Sequence, residues 1–273
     1  MTFIKRLSVF TVSASLCLAW GCGSKEDAGV LFREAKSNAE QLQSCSATFS
    51  SVLTFTANGT PHTFQSSEES VYNAKPFALK SVQSYQNDGT RGSGESYTIT
   101  EDGGFWFYGK SADGWQKTGA QDLDTSPFSQ IDILNLMNNV KSEKYVRETT
   151  IDSRKLHKIE LELSNEAIRS TIEQIVTVTG MAQNSKTVVQ TLLDSSPALY
   201  GYCYIGTDGG EPERLEMDAA DALNQIFQNI DGSRTKISVT QCEISGEITK
   251  INQAQPVALP AEAKAAQSVQ SYG

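Results

Sequence analysis

The strongest constraint on the fold is a series of alternating segments, separated by turn residues, that starts at Cys45. Three such segments follow one another: CSATFSSVLTFTA, HTFQSSEESVYNA and FALKSVQSYQ. The turn candidates after them are Asn58-Gly59, Lys75-Pro76 and Asn87-Asp88-Gly89. Asn-Gly and Asp-Gly adopt the positive φ angles that tight hairpin turns require. The pattern therefore predicts long antiparallel strands that follow one another in a meander.

The meander continues through ESYTITEDGGFWFYGKSADGWQKTG, which contains four consecutive aromatic residues from Phe105 to Tyr108. The dipeptides Asp102-Gly103 and Asp113-Gly114 mark the turns of this hairpin. A strand that faces water on one side alternates apolar and polar residues, so four aromatic residues in a row predict cover on both faces. A helix, another layer or a ligand could provide that cover.

Apolar residues at helical spacing predict helices over 30–42 and 129–140. The segment 166–193 keeps the same spacing around Gly180, which predicts one broken helix or two short ones. Strands are predicted again after residue 140 and in the C-terminal third, with a further helix over 221–230. This order of elements predicts an α+β fold in which a large curved antiparallel sheet wraps around helices.

The N-terminus has the features of a bacterial lipoprotein export signal. Lys5 and Arg6 precede an apolar run that ends at Trp20, and this run is too short to span a bilayer of ~30 Å. Gly21 precedes Cys22, whereas Cys17 follows a bulky leucine and is a poor cleavage site. We predict removal of residues 1–21 and attachment of acyl chains such as palmitate to Cys22. Ordinary secretion with Cys22 as a plain thiol is the alternative.

After the leader, we expect a lipidated tether over 22–28, one domain over 29–266 and a frayed tail over 267–273. The chain is 38% hydrophobic and 20% charged, which is enough to build a sizeable core. Its formal net charge is −9, and loss of the leader, with two cations and no acid, makes it −11. An acidic surface repels phosphate backbones, so nucleic acid is not a predicted partner.

Acylation of Cys22 leaves Cys45, Cys203 and Cys242 in the processed chain. An odd number of cysteines cannot all pair within one chain. Cys203 and Cys242 lie in predicted late strands, so a disulfide between them is one alternative, and three buried thiols are the other. The sequence has no CxxC motif and its two histidines are far apart in sequence, so no metal site is predicted.

The lipobox at Cys22, the strand-turn-Trp segment FWFYGKSADGWQKTG and the closing VALPAEAKAA resemble lipoproteins of the LppX/LprG and LolA/LolB-like group. The resemblance also covers the order of the predicted elements. It implies a half-open antiparallel barrel whose concave face is packed with helices. It further implies a cavity between the two layers that holds acyl chains.

Aromatic and apolar residues supply the one indication of a binding site. They come from the aromatic hairpin and from the helical segment that follows it. A cavity lined by them would suit an apolar ligand. The alternative is that they form the core under the helix. The candidate residues are Trp106, Phe107, Phe128, Ile133 and Met137.

Fragments that match enzyme motifs lack the context that these motifs need. Residues 233–236 fit SxxK and residues 117–119 fit KTG, but their order is reversed and no SDN motif lies between them. Neither His62 nor His157 has an acid and a nucleophile close by in sequence, so ordinary surface roles are predicted for both. The sequence therefore predicts no catalytic residue and no cofactor.

These observations predict a non-catalytic lipoprotein, anchored outside the cytoplasm to the bacterial cell membrane, that binds or carries a lipid or another apolar molecule. The alternative is a structural or adaptor lipoprotein with a filled core that binds another envelope protein. A connected apolar cavity on the order of several hundred Å³ would favour the first prediction. A solid core would favour the second.

Overall fold

The computed structural model describes residues 27–120, 123–179, 185–194, 197–228 and 236–266. The predicted leader, Cys22 and the predicted C-terminal tail lie outside the described residues. The first helix, α1 (Ala28–Glu40), begins after Asp27, whose carboxylate accepts hydrogen bonds from the N–H groups of Gly29 and Val30. These bonds satisfy donors that the start of a helix leaves unpaired. The helix predicted over 30–42 is confirmed with a shift of two residues.

In the described residues, eleven strands form one antiparallel sheet. The predicted turn residues stand at its hairpins: Asn58 and Asp88 have φ angles of 51° and 46°, and Gly59 and Gly89 have φ angles of 84° and 87°. This left-handed conformation suits Gly, Asn and Asp, so the sequence directs where each strand ends. The strands are β1 (Ser44–Ala57), β2 (Thr60–Ala74), β3 (Phe77–Asn87), β4 (Thr90–Glu101), β5 (Gly104–Ser111), β6 (Gly114–Ala120), β7 (Val140–Ile151), β8 (Arg154–Leu163), β9 (Leu199–Gly206), β10 (Pro212–Asp218) and β11 (Ile237–Thr249).

The sheet consists of two meanders that meet in its middle. β1 to β6 lie in sequence order toward one edge, and β7 to β11 run inward from the other edge, so that β11 pairs with β1. The chain passes from one edge to the other through α2 (Pro127–Gln130), α3 (Asp132–Leu136) and a 3-10 turn over Met137–Asn139. Because β6 and β7 are the two ends of the strand order, the sheet is open.

Three further helices follow in the second meander: α4 (Arg169–Val178), α5 (Ser185–Asp194) and α6 (Ala220–Gln228). The sequence predicts one broken helix or two short ones within 166–193, and the described residues of this segment form α4 and α5. α4 packs against α5, α5 contacts α6, and α6 lies against β11. Helices α1 to α6 lie on one side of the sheet, which we call the helix face, and the opposite side is the outer face. The predicted α+β architecture is confirmed.

The main core lies between the helix face and the helices. Alternate residues of β8, Ile159, Leu161 and Leu163, are fully buried there together with residues of β9, β11 and the helices. Gly246 on β11 allows α3 to approach the sheet, since a Cβ at this position would lie 3.0 Å from Cβ of Ile133. Apolar burial of this kind is the dominant stabilising contribution to such a fold.

A second, smaller core lies on the outer face of the aromatic hairpin. Residues 254–266, which we call the strap, cross the outer face and end in the short helix α7 (Ala261–Lys264). The backbone N–H of Val257 donates to Oδ1 of Asn73 on β2 at 2.7 Å. Tyr97, Tyr108 and Ala263 are buried in this core, and the residues packed around them include Ile99, Trp106, Trp115, Val257 and Leu259.

The prediction of cover on both faces of the aromatic hairpin is confirmed only in part. Trp106 and Tyr108 pack in the second core on the outer face. On the helix face, the ring of Phe105 packs edge-on against Phe77, with 5.9 Å between the ring centroids. Phe107 points to the same face as Phe105 but is 44% exposed.

Candidate functional site

Helix cover of the sheet is incomplete over β3 to β5. Ser66, two residues after the core residue Phe64, pairs with Tyr85, so Tyr85 points to the helix face. Tyr85 is 47% exposed and Phe107 is 44% exposed on this face. Large aromatic side chains that stay this exposed make a surface suited to binding an apolar group.

Glycines let both aromatic rings lie close to the sheet. A Cβ at Gly92, the cross-strand partner of Tyr85, would lie 2.2 Å from Cζ of that tyrosine. A Cβ at Gly109 would lie 3.0 Å from Cε1 of Phe107. The two rings therefore occupy the space that ordinary side chains would fill.

A groove of about 210 Å³ adjoins Tyr85 and lies between β1 to β3 and the start of α3. Nε2 of Gln83 donates to Oε2 of Glu68 at 2.6 Å, which orients this carboxylate. Burial in the groove, and then the negative charge of Glu68, raises the pKa of Asp132. The groove combines an acidic side with hydroxyl and amide groups; its lining includes Phe49, Ser66, Glu68, Gln83, Tyr85 and Asp132.

The structure does not bring the five predicted cavity residues together. Trp106 and Phe107 are neighbours in β5 and point to opposite faces of the sheet. The ring of Trp106 lies in the second core, where Nζ of Lys117 is 4.2 Å from its centroid. Only Phe107 is near the open part of the helix face.

The other three predicted residues, Phe128, Ile133 and Met137, are buried in the main core. These three residues therefore fit the alternative prediction, in which they form the core under the helix. Sequence reasoning missed Tyr85 and Asp132. An indication was present in the Gly- and Ser-rich strand β4, which offers the helix face no large apolar side chain beside β3.

The disulfide considered between Cys203 and Cys242 is absent. Cys45, Cys203 and Cys242 are free and buried, and Cys203 on β9 is separated from β11 by strand β10. Burial raises the pKa of each of these thiols to about 12. They are therefore thiols rather than thiolates at neutral pH, and unreactive as nucleophiles.

The two histidines have different surroundings. Nδ1 of His62 lies 2.7 Å from Oδ2 of Asp88 near a hairpin turn, and its ring stacks on Phe55. The predicted surface role is wrong for His157, which is 6% exposed and packs against the ring of Tyr145.

Among the described residues, no group of three or more His, Cys, Asp or Glu side chains is placed to hold a metal ion. No helix in that part of the chain has the length and apolar character needed to cross a membrane.

Comparison with known proteins gives a likeness of fold. No protein-family model and no curated protein matches the chain. The lipoprotein LppX from Mycobacterium tuberculosis is similar at 14% identity, over 85% of this chain and 100% of that one, with a TM-score of 0.42. LprF from Mycobacterium bovis has 12% identity, coverage of 86% and 97%, and a TM-score of 0.48. A LolA superfamily protein from Nitrosomonas europaea has 10% identity, coverage of 84% and 94%, and a TM-score of 0.27.

At these identities no residue role is transferred from these proteins, and the site rests on the geometry of this chain alone.

Proposed function

We propose that this chain is a membrane-anchored, extracytoplasmic lipoprotein that binds a lipid or another amphipathic molecule without catalysis. Removal of residues 1–21 and acylation of Cys22 would supply the anchor. The observation that supports binding is the incomplete cover of the helix face, where Tyr85 is exposed beside the groove and Phe107 is exposed two strands away on β5.

The groove favours a ligand with an uncharged polar end. Glu68 and Asp132 line it together, so a phosphate or carboxylate group would meet like charge. Ser66 and Gln83 offer hydroxyl and amide groups that can donate and accept hydrogen bonds. An apolar tail would cover the rings of Tyr85 and Phe107 and remove them from water.

A second candidate function is that of an adaptor that binds another envelope protein. The filled main core favours it, because Phe128, Ile133 and Met137 pack there instead of lining a cavity. In that case the exposed rings of Tyr85 and Phe107 would form part of a protein interface, where tyrosine and phenylalanine are enriched.

Native mass spectrometry of the gently purified lipoprotein tests the proposal. We expect the parent protein to retain a neutral lipid, and a variant carrying both Tyr85→Ala and Phe107→Ala to lose it. The matched control is Val82→Ala, which removes an exposed apolar side chain of β3 on the outer face and should leave the lipid bound. Absence of bound lipid from the parent protein would leave the adaptor function as the better proposal.

A further inference from the structure

A cleft of about 560 Å³ lies on the outer face over β9, β10 and β11, on the other side of the sheet from the groove. This volume falls within the range of ordinary ligand sites. Two tyrosines, one arginine and three carboxylates stand around it. These residues are Tyr200, Tyr202, Arg214, Glu216, Asp218 and Glu243.

The two tyrosines form an aromatic side of this cleft. Tyr200 and Tyr202 alternate with core residues of β9, so both point to the outer face. Tyr200 is 52% exposed, the largest exposure among the large hydrophobic side chains of the described residues. Nζ of Lys158 lies 3.7 Å from the ring centroid of Tyr202, which holds that ring in place.

The polar groups of the cleft are also held in position. Nε of Arg214 lies 2.7 Å from Oε1 of Glu216. The hydroxyl of Tyr204 donates to Oε2 of the same carboxylate at 2.8 Å. Fixed donors and acceptors lose little side-chain entropy when a ligand binds.

A row of hydroxyl groups leads away from the cleft across the sheet. Cross-strand pairing aligns Tyr202 and Glu216 with Ser245, Ser50, Ser67, Ser84 and Ser93 on consecutive strands. The Oγ atoms of Ser50 and Ser245 lie 2.8 Å apart, and those of Ser67 and Ser84 also lie 2.8 Å apart. At a strand spacing of about 4.8 Å, seven strands give the row a length of roughly 30 Å.

Two further concavities make this row continuous with the cleft. One of about 230 Å³ shares Arg214 and Ser245 with the cleft. The next, of about 380 Å³, shares Ser67 with the second. The outer face therefore carries one long polar track with an aromatic side at one end.

We propose that this track binds a linear, uncharged oligosaccharide, with sugar rings against Tyr200 and Tyr202 and the chain along the serine row. Sugars carry C–H groups that pack on aromatic rings. They also carry hydroxyl groups, which can donate hydrogen bonds to carboxylates and both donate hydrogen bonds to serine hydroxyls and accept them. This inference is independent of the proposed lipid site, which lies on the opposite face.

Other ligand classes fit the track less well. An apolar ligand would bury the hydroxyl and carboxylate groups of the track without giving them hydrogen-bond partners. An anionic polymer would meet Glu69, Glu243 and Glu247 along the track. The strands here are paired on both sides, so a peptide cannot add as a further strand. The length of the row favours a chain over the short headgroup of a glycolipid.

Calorimetric titration of the full chain with linear hexamers of N-acetylglucosamine, glucose and mannose, and with their dimers, tests the proposal. We expect at least one hexamer to bind with a Kd below about 1 mM and about tenfold more tightly than its dimer. Tyr200→Ala should weaken binding about tenfold, and Tyr200→Phe should retain it, because the stacked ring is kept. Val30→Ala, which removes an exposed apolar side chain of α1 away from the track, is the matched control and should change nothing.

The Ser67→Leu variant tests the contribution of the serine row to binding separately from that of the two tyrosines. This exposed substitution should remove the advantage of the hexamer over the dimer and leave dimer binding unchanged. The proposal is overturned if none of the hexamers binds, if Tyr200→Ala binds as the parent does, or if hexamer and dimer bind equally. Equal binding of a galacturonic acid hexamer would also overturn it, since the acidic track should repel that anion.

Discussion

The two ends of the sheet bury opposite faces. Over β8 to β11 the helix face is covered by helices and filled with residues such as Ile159 and Leu161, and the outer face is polar. Over β4 to β6 the outer face is covered by the strap, and Tyr97 and Tyr108 are buried there. On the helix face of that end, Phe107 is exposed.

This difference shows that one continuous sheet can serve two separate cores. The helices are too few to cover eleven strands, so the strap supplies the second layer where they stop. Because the two ends bury opposite faces, the helix face is left open over β4 to β6 and the outer face is left open over β8 to β11. We call this change of the buried face along the sheet the exchange of the buried face. Each free face carries one of the two proposed binding surfaces.

The largest expected effect tests the helix-covered end. Ile133→Ala removes a side chain that is 2% exposed and lies against Gly246 of β11. We expect a loss of about 2–5 kcal/mol in the free energy of unfolding, since a cavity remains in a packed core. Urea denaturation measures this loss, and Asn135→Ala on the exposed side of α3 is the matched control. A loss below about 1 kcal/mol would mean that this core is loose enough to admit a ligand.

A smaller effect is expected at the strap-covered end, where neighbouring residues can be compared. Trp106→Ala should cost about 2 kcal/mol, less than the 3–5 kcal/mol of a fully buried aromatic residue, because Trp106 is only partly buried. Phe107→Ala should stay within about 0.5 kcal/mol of the parent protein. Urea melts of both variants check this order, and equal losses would contradict the exchange of the buried face.

The smallest effect concerns the pH dependence at the open part of the helix face. The folded-state pKa of Asp132 is raised, by burial and then by Glu68, above its unfolded value of about 3.9. The native state therefore binds more protons, and stability falls as the pH rises from about 3.9 through the raised pKa. Since this side chain is exposed in part, screening should keep the loss below about 1 kcal/mol.

Asp132→Asn removes this titration. The variant should gain stability relative to the parent at pH 7 and gain less at pH 3, in urea melts at both values. Glu34→Gln, which removes an exposed carboxylate of α1, is the control. A gain of the same size at both pH values would show that the pKa of Asp132 is not raised in the folded state.

The sequence predicts the elements of this fold better than it predicts which face they bury. Asn58-Gly59 and Asn87-Asp88-Gly89 stand at hairpin turns as expected, because their φ preference is local. The second core depends on contacts such as Val257 with Asn73, which are 184 residues apart. Phe107 and Tyr108 are both aromatic, so alternation alone cannot say which of them is buried. The serine row likewise requires the register of several strands, to which both halves of the chain contribute.

Thiol labelling mapped by peptide mass spectrometry tests the exchange of the buried face most directly. The account predicts that Phe107→Cys on the helix face reacts at least about tenfold faster than Ala263→Cys, which belongs to the strap and is buried against the outer face. The buried native thiols of Cys45, Cys203 and Cys242 serve as slow internal standards. Rapid labelling of Ala263→Cys together with protection of Phe107→Cys would contradict the account.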